Sequence, residues 1–129
     1  MITDEMKSHF MNLYNMVLAD GTVKPEELLQ VYRIGQRHGI SEEEFNRLLI
    51  SPASFIAPET LEQKVTFLYD MVEIILADQD IDHDEVATLK RYCIRFGFEP
   101  ENVDAISSFL IESVKSGKPL DSVIQEITE

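Results

Sequence analysis

Basic residues, cysteine and long apolar runs are all scarce in this sequence, and each scarcity removes a class of function. Only 11 Lys and Arg stand against 24 Asp and Glu, a formal charge of −13. Phosphate backbones are gripped by clustered cations, so no nucleic-acid partner is expected, and docking on anionic lipid is disfavoured for the same reason. The single cysteine, Cys93, rules out an internal disulfide and a Cys-built zinc site. It lies in an apolar helical pattern with Tyr92, Ile94 and Phe96, where a buried, inert thiol is expected. The longest apolar runs, such as 74–77, reach four residues, far below the roughly 18 of a membrane helix. The first residues carry acids and no basic stretch, so no signal peptide is expected. A cytoplasmic protein without direct membrane insertion follows.

The 129 residues, 44% hydrophobic and 27% charged, fit one folded domain with a core of its own. Its prolines and glycines punctuate helices. Pro25, Pro58, Pro100 and Pro119 each precede a helical pattern, where a missing N–H costs nothing. Gly39, Gly97 and Gly117 each follow one, where a left-handed cap is wanted. Ser41 with Glu44, and Asp82 with Glu85, have the spacing of capping boxes. The spacing predicts seven helices, at about 3–19, 25–38, 42–50, 58–77, 83–96, 100–116 and 119–127. Apolar stripes such as Met6, Phe10, Leu13 and Val17, or Leu61, Val65, Leu68, Val72 and Ile75, carry the helical period. Period-two alternation is absent, so the fold class is all-α.

The chain also resembles itself. A shift of 58 lays Leu18-Ala19-Asp20 on Leu76-Ala77-Asp78 and pairs Glu27 with Glu85, Arg33 with Arg91, Arg37 with Arg95, Gly39 with Gly97 and Glu43 with Glu101. These eight identities over 18–48 compare with roughly two by chance. Two repeated halves, about 3–50 and 58–116, are expected to pack face to face as one domain, followed by the helix at 119–127. Phe55 and Ile56 of the linker are expected to tuck into the core.

The acids gather where each half turns its corner. In the second corner Asp78, Asp80, Asp82 and Asp84 alternate and Glu85 follows, five carboxylates in eight residues. Hard cations such as calcium and magnesium take oxygen ligands of this kind, and these five are the candidate metal ligands. A conventional EF-hand is excluded, because His83 stands at the sixth loop position and Leu89 at the twelfth, where Gly and Glu belong. The first corner, with Asp20, Glu26 and Glu27, is a weaker version, since Lys24 replaces the counterpart of Asp82. The competing reading is purely structural: carboxylates at helix starts accept from unpaired N–H groups. Val23 and Ile81 are expected to point inward and pin the corners.

No chemistry beyond this emerges. The three histidines are scattered, with His9 read as a surface or partly buried residue, His38 as a partner of its helix's last carbonyls and His83 as set among acids. No His-x₃-His pair, phosphate-cradling Gly loop or nucleophile elbow occurs, so no catalytic residue is assigned. Arg33, Arg37, Arg91 and Arg95 are expected to bridge to the acidic face; unpaired, they would instead suggest an interface.

At its corners the sequence resembles the TerB-like family of bacterial tellurite-resistance and stress-associated domains. The matching residues are Leu18-Ala19-Asp20-Gly21-Thr22-Val23, Glu26-Glu27 and Gly39-Ile40-Ser41, with a second copy at Leu76-Ala77-Asp78, Ile81, Glu85 and Gly97-Phe98. That copy departs at Gln79 and Asp80 and lacks the Ser. The resemblance implies a repeated helical fold, divalent-cation binding on an acidic surface and association with other proteins. It does not carry tellurite resistance with it, because function belongs to sites and not to folds. The expectation is a non-enzymatic interaction module for a basic or apolar protein surface, using an acidic face or an apolar groove between the halves, with a calcium or magnesium domain as the alternative. A homo-oligomer is compatible with both.

Overall fold

The computed structural model describes residues 2–19, 21–51 and 53–128. Among them seven helices carry the chain and no strand occurs. They are α1 (Asp4–Val17), α2 (Pro25–Arg37), α3 (Glu42–Ile50), α4 (Leu61–Ile75), α5 (His83–Arg95), α6 (Pro100–Lys115) and α7 (Leu120–Thr128). The fold is all-α, as the punctuation predicts.

The helix starts follow from their caps. The Thr3 hydroxyl accepts from Met6 N, and Ser41 with Glu44 forms a reciprocal capping box. Pro25 and Pro100 occupy the first positions of α2 and α6. α4 begins at Leu61, later than the proline rule suggests, because Thr60 supplies the cap by accepting from Gln63 N at 3.1 Å. Asp82 caps α5 through the N–H groups of Asp84 and Glu85, but Glu85 does not reach back, so that capping box is one-sided. At the other ends, Gly39 and Gly97 take φ of 79° and 98°. This lets Ile40 N and Phe98 N reach back to the carbonyls of Gly35 and Cys93, at 2.7 and 3.1 Å.

α4 is the axis of the molecule, packed against α1, α2, α5, α6 and α7. Val65, Leu68, Met71, Val72 and Ile75 are buried, and so are Phe67 and Ile74, so this helix is covered nearly all round. Around it one apolar cluster joins Phe10 and Leu13 of α1, Val31 and Ile34 of α2, Leu89 of α5, Val103 and Leu110 of α6 and Val123 of α7. Cys93 lies inside this cluster, buried as expected. Both expected halves thus contribute to a single core.

The linker folds back on this core. The Ser8 hydroxyl accepts from Ile56 N at 2.7 Å and donates to Ile56 O at 3.2 Å, satisfying both backbone groups. Phe55 is half-buried beside Tyr92 and Phe96, whereas the Ile56 side chain stays 40% exposed. The expectation that both would tuck in holds for Phe55 only.

Candidate functional site

Both corners sit between consecutive helices, and their acids do several different jobs. Asp82 Oδ1 accepts from Asp84 N and Glu85 N at 2.8 and 3.3 Å. Asp78 Oδ1 accepts from Asp80 N at 3.1 Å, while its Oδ2 lies 3.3 Å from Lys24 Nζ. Asp80 and Asp84 are exposed, and Glu85 turns inward to complete burial. The five carboxylates expected as one ligand set therefore point in different directions. In the first corner Glu26 is exposed and Glu27 is fully buried; Asp20 lies outside the described residues. Val23 and Ile81 do not pin the corners: they are 45% and 42% exposed, and the inward places belong to the acids.

Glu27 and Glu85, one from each corner, meet inside the protein. Burial pushes the Glu85 carboxyl up to about 9, and the adjoining Glu27 carboxyl, as hydrogen-bond partner and as charge, pushes the same way. The Glu27–Glu85 pair therefore holds a proton at neutral pH. Lys24 Nζ, 3.9 Å from Glu85 Oε1, opposes this shift. Lys24 was expected to spoil the first corner as a cation site; it instead reaches across and bridges to the acids of the second. A hard cation would suit these oxygens, but it would have to displace both an ammonium group and a proton.

A second cluster was not foreseen. His9, expected near the surface, is buried in α1, and Asp70 is buried in the middle of α4. His9 Nε2 lies 2.8 Å and His38 Nε2 2.9 Å from the same oxygen, Asp70 Oδ2. Each ring must therefore donate through Nε2. Arg37 Nη2 donates to Asp70 Oδ1 at 2.5 Å and to Glu73 Oε1 at 2.6 Å. Burial alone would raise the Asp70 carboxyl, but the hydrogen bonds from His38 and His9 outweigh it and bring it down to about 2. Burial holds His9 below its ordinary value, against the pull of Asp70.

His9, His38 and Asp70 offer three donor atoms within 4.8 Å of one another, the convergence a metal needs. Their hydrogen bonding argues for a different use. A metal would take both Nε2 lone pairs and shift the His9 proton to Nδ1, which is buried without an acceptor. The guanidinium of Arg37 also occupies the free oxygen of Asp70. The cluster is a polar tie between α1, α2 and α4.

The signal for it lay in the sequence: Asp70 is the one acid inside the apolar stretch Phe67-Leu68-Tyr69-Asp70-Met71-Val72. His38 was expected to serve the end of its own helix, yet its ring crosses to α4. The arginines divide. Arg37 is paired as expected, whereas among the described residues Arg33, Arg91 and Arg95 have no carboxylate within ion-pairing distance.

A broad apolar surface lies elsewhere. Leu61 at the start of α4, Phe98, Ile106 and Phe109 on and before α6, and Ile127 of α7 line an open groove. Its charged liners, Lys118 and Glu126, pair with each other at 2.6 Å. All these residues belong to the second half and the final helix, so the groove does not lie between the halves as expected. Among the described residues no helix is long and apolar enough to cross a membrane. Comparison with protein-family models, curated proteins and solved structures gives no match.

Proposed function

We propose that this chain is a non-enzymatic, acidic protein-interaction module that docks a basic amphipathic helix in the groove of α4, α6 and α7. The observation behind this reading is that Leu61, Ile106, Phe109 and Ile127 lie side by side along an open apolar groove. Leu61 is 41% exposed and Ile106, Phe109 and Ile127 are already partly buried. Covering them recovers a fraction of the roughly 1.5–3 kcal/mol that full burial of each is worth, and the flanking charge adds to it. Glu101 and Glu112, exposed and one helical turn from Ala105 and Phe109 on α6, place negative charge along the flank. With a formal charge of −13 behind them, lysines beside the apolar stripe of the partner are favoured. Among the described residues lining the groove, the charged pair Lys118 and Glu126 is engaged with itself. The corner motifs support a TerB-like, stress-associated setting for this module.

The test uses two synthetic amphipathic helices of equal length, one Leu/Lys and one Leu/Glu, titrated against the labelled protein. The Leu/Lys helix binds, salt weakens it, and Ile106→Asp with Phe109→Asp removes it. Equal binding of the two helices, or binding untouched by those substitutions, would overturn the reading.

A second reading, a calcium or magnesium domain, is favoured by one specific arrangement. Asp78 and Glu85 of the second corner lie 3.3 and 3.9 Å from the Lys24 ammonium of the first, and Glu27 adjoins Glu85. That ligand set differs from the run 78–85, drawing on three of the expected residues and leaving Asp80, Asp82 and Asp84 to the turn.

A further inference from the structure

Facing the cleft between the end of α1 and the flank of α5 are two cations that the acidic surface leaves unused. Thr88, Arg91, Tyr92 and Arg95 recur at helical spacing along one face of α5, and Asn15 and Ala19 form the opposite wall of a cleft of about 290 Å³. Arg91 Nη2 donates to Thr88 Oγ1 at 2.8 Å, and Thr88 is itself held by donating to Asp84 O at 2.9 Å. The Arg95 guanidinium lies 3.6 Å from the ring centre of Phe55 and 5.9 Å from that of Tyr92. Both forks are thus held in place before any ligand arrives, which lowers the entropy cost of binding.

Acids outnumber bases by 24 to 11 in this chain, yet neither arginine has a carboxylate partner among the described residues. The nearby end of α1 has no base in its last turn, and its dipole offers about half a negative charge against two full positive ones. Among the described residues that line the cleft there is no acid to offset the two guanidinium groups. The Asn15 amide and the Tyr92 hydroxyl, 3.5 Å apart, add neutral donors.

We infer that the α1–α5 cleft is a binding site for a small oxyanion, a molecule bearing a phosphate or carboxylate group gripped by Arg91 and Arg95. Planar guanidinium forks match both groups in bidentate geometry. The surrounding charge of −13 repels long polyanions, so the ligand is a small molecule.

The arginine Nε–H signals of isotope-labelled protein would be followed by NMR while inorganic phosphate, and separately succinate, is added at constant ionic strength balanced by chloride. The Arg91 and Arg95 signals shift and saturate with at least one of the two, and Arg33, on α2, serves as the internal control. The more effective probe identifies the head group. Arg91→Gln weakens binding at least tenfold, while Arg33→Gln leaves it unchanged and both variants keep the parent amide spectrum. The inference is overturned if neither probe moves Arg91 and Arg95 more than Arg33, or if Arg91→Gln binds as tightly as the parent.

Discussion

His9 Nε2 of α1 and Asp70 Oδ2 of α4 lie 2.8 Å apart with both side chains buried, joining the two helices at the centre of the fold. The same oxygen receives His38 from the end of α2, so one carboxylate orients three helices. A buried charge in such a place is tolerable only because its partners are complete; removing one partner leaves the others exposed to the full desolvation cost.

Asp70→Asn should therefore cost about 1.5–3 kcal/mol, the range for losing hydrogen bonds to a charged group, measured by urea unfolding at pH 7. The pH dependence follows the same group. Its carboxyl is lowered from 3.8 to about 2 in the fold, so its contribution is full above pH 4 and is lost as pH falls towards 2. The parent should lose on the order of 2 kcal/mol over that window relative to Asp70→Asn, whose acid limb is correspondingly flatter. Parallel acid limbs in the two proteins would refute this.

Glu85 predicts the opposite slope. Its carboxyl is raised from 4.5 to about 9, so the unfolded chain releases this proton first. Stability from this group is full below pH 4.5 and declines as pH rises through 9. Glu85→Gln keeps a hydrogen-bonding group beside Glu27 but cannot ionise. Its melting temperature should exceed the parent's at pH 8 and vary less between pH 5 and pH 9. A variant melting lower than the parent throughout would mean that the buried acid stabilises the fold.

The cation reading has its own signature. Calcium or magnesium at a hundred times its dissociation constant should add about 2.7 kcal/mol to stability. Because the ion must displace the Glu85 proton, its affinity should rise with pH and vanish in Glu85→Gln. Asp78→Asn should weaken it, and Asp80→Asn should not. No thermal shift with either ion at pH 8 would remove this reading.

The architecture was legible because it rests on local chemistry. Pro25, Ser41, Gly39, Gly97 and Pro100 act within one turn of where they stand, and they mark the ends of α2, α3, α5 and α6 nearly residue by residue. The site was less legible because it depends on which face of each corner looks inward. Hydropathy places Val23 and Ile81 inside and Glu27 and Glu85 outside; the fold reverses them, and the acids can stay inside because a proton and Lys24 offset their charge. Pairs such as His9 with Asp70 are 61 residues apart and leave no periodic trace. Their only mark was a lone acid in an apolar helix.

The enclosure of α4 also bears on how the protein is made. Val123 of α7 is fully buried against the cluster that surrounds this helix, so one side of α4 has no cover until residues 120–128 have left the ribosome. A nascent chain stalled before that point would carry an exposed apolar helix, a natural substrate for a chaperone.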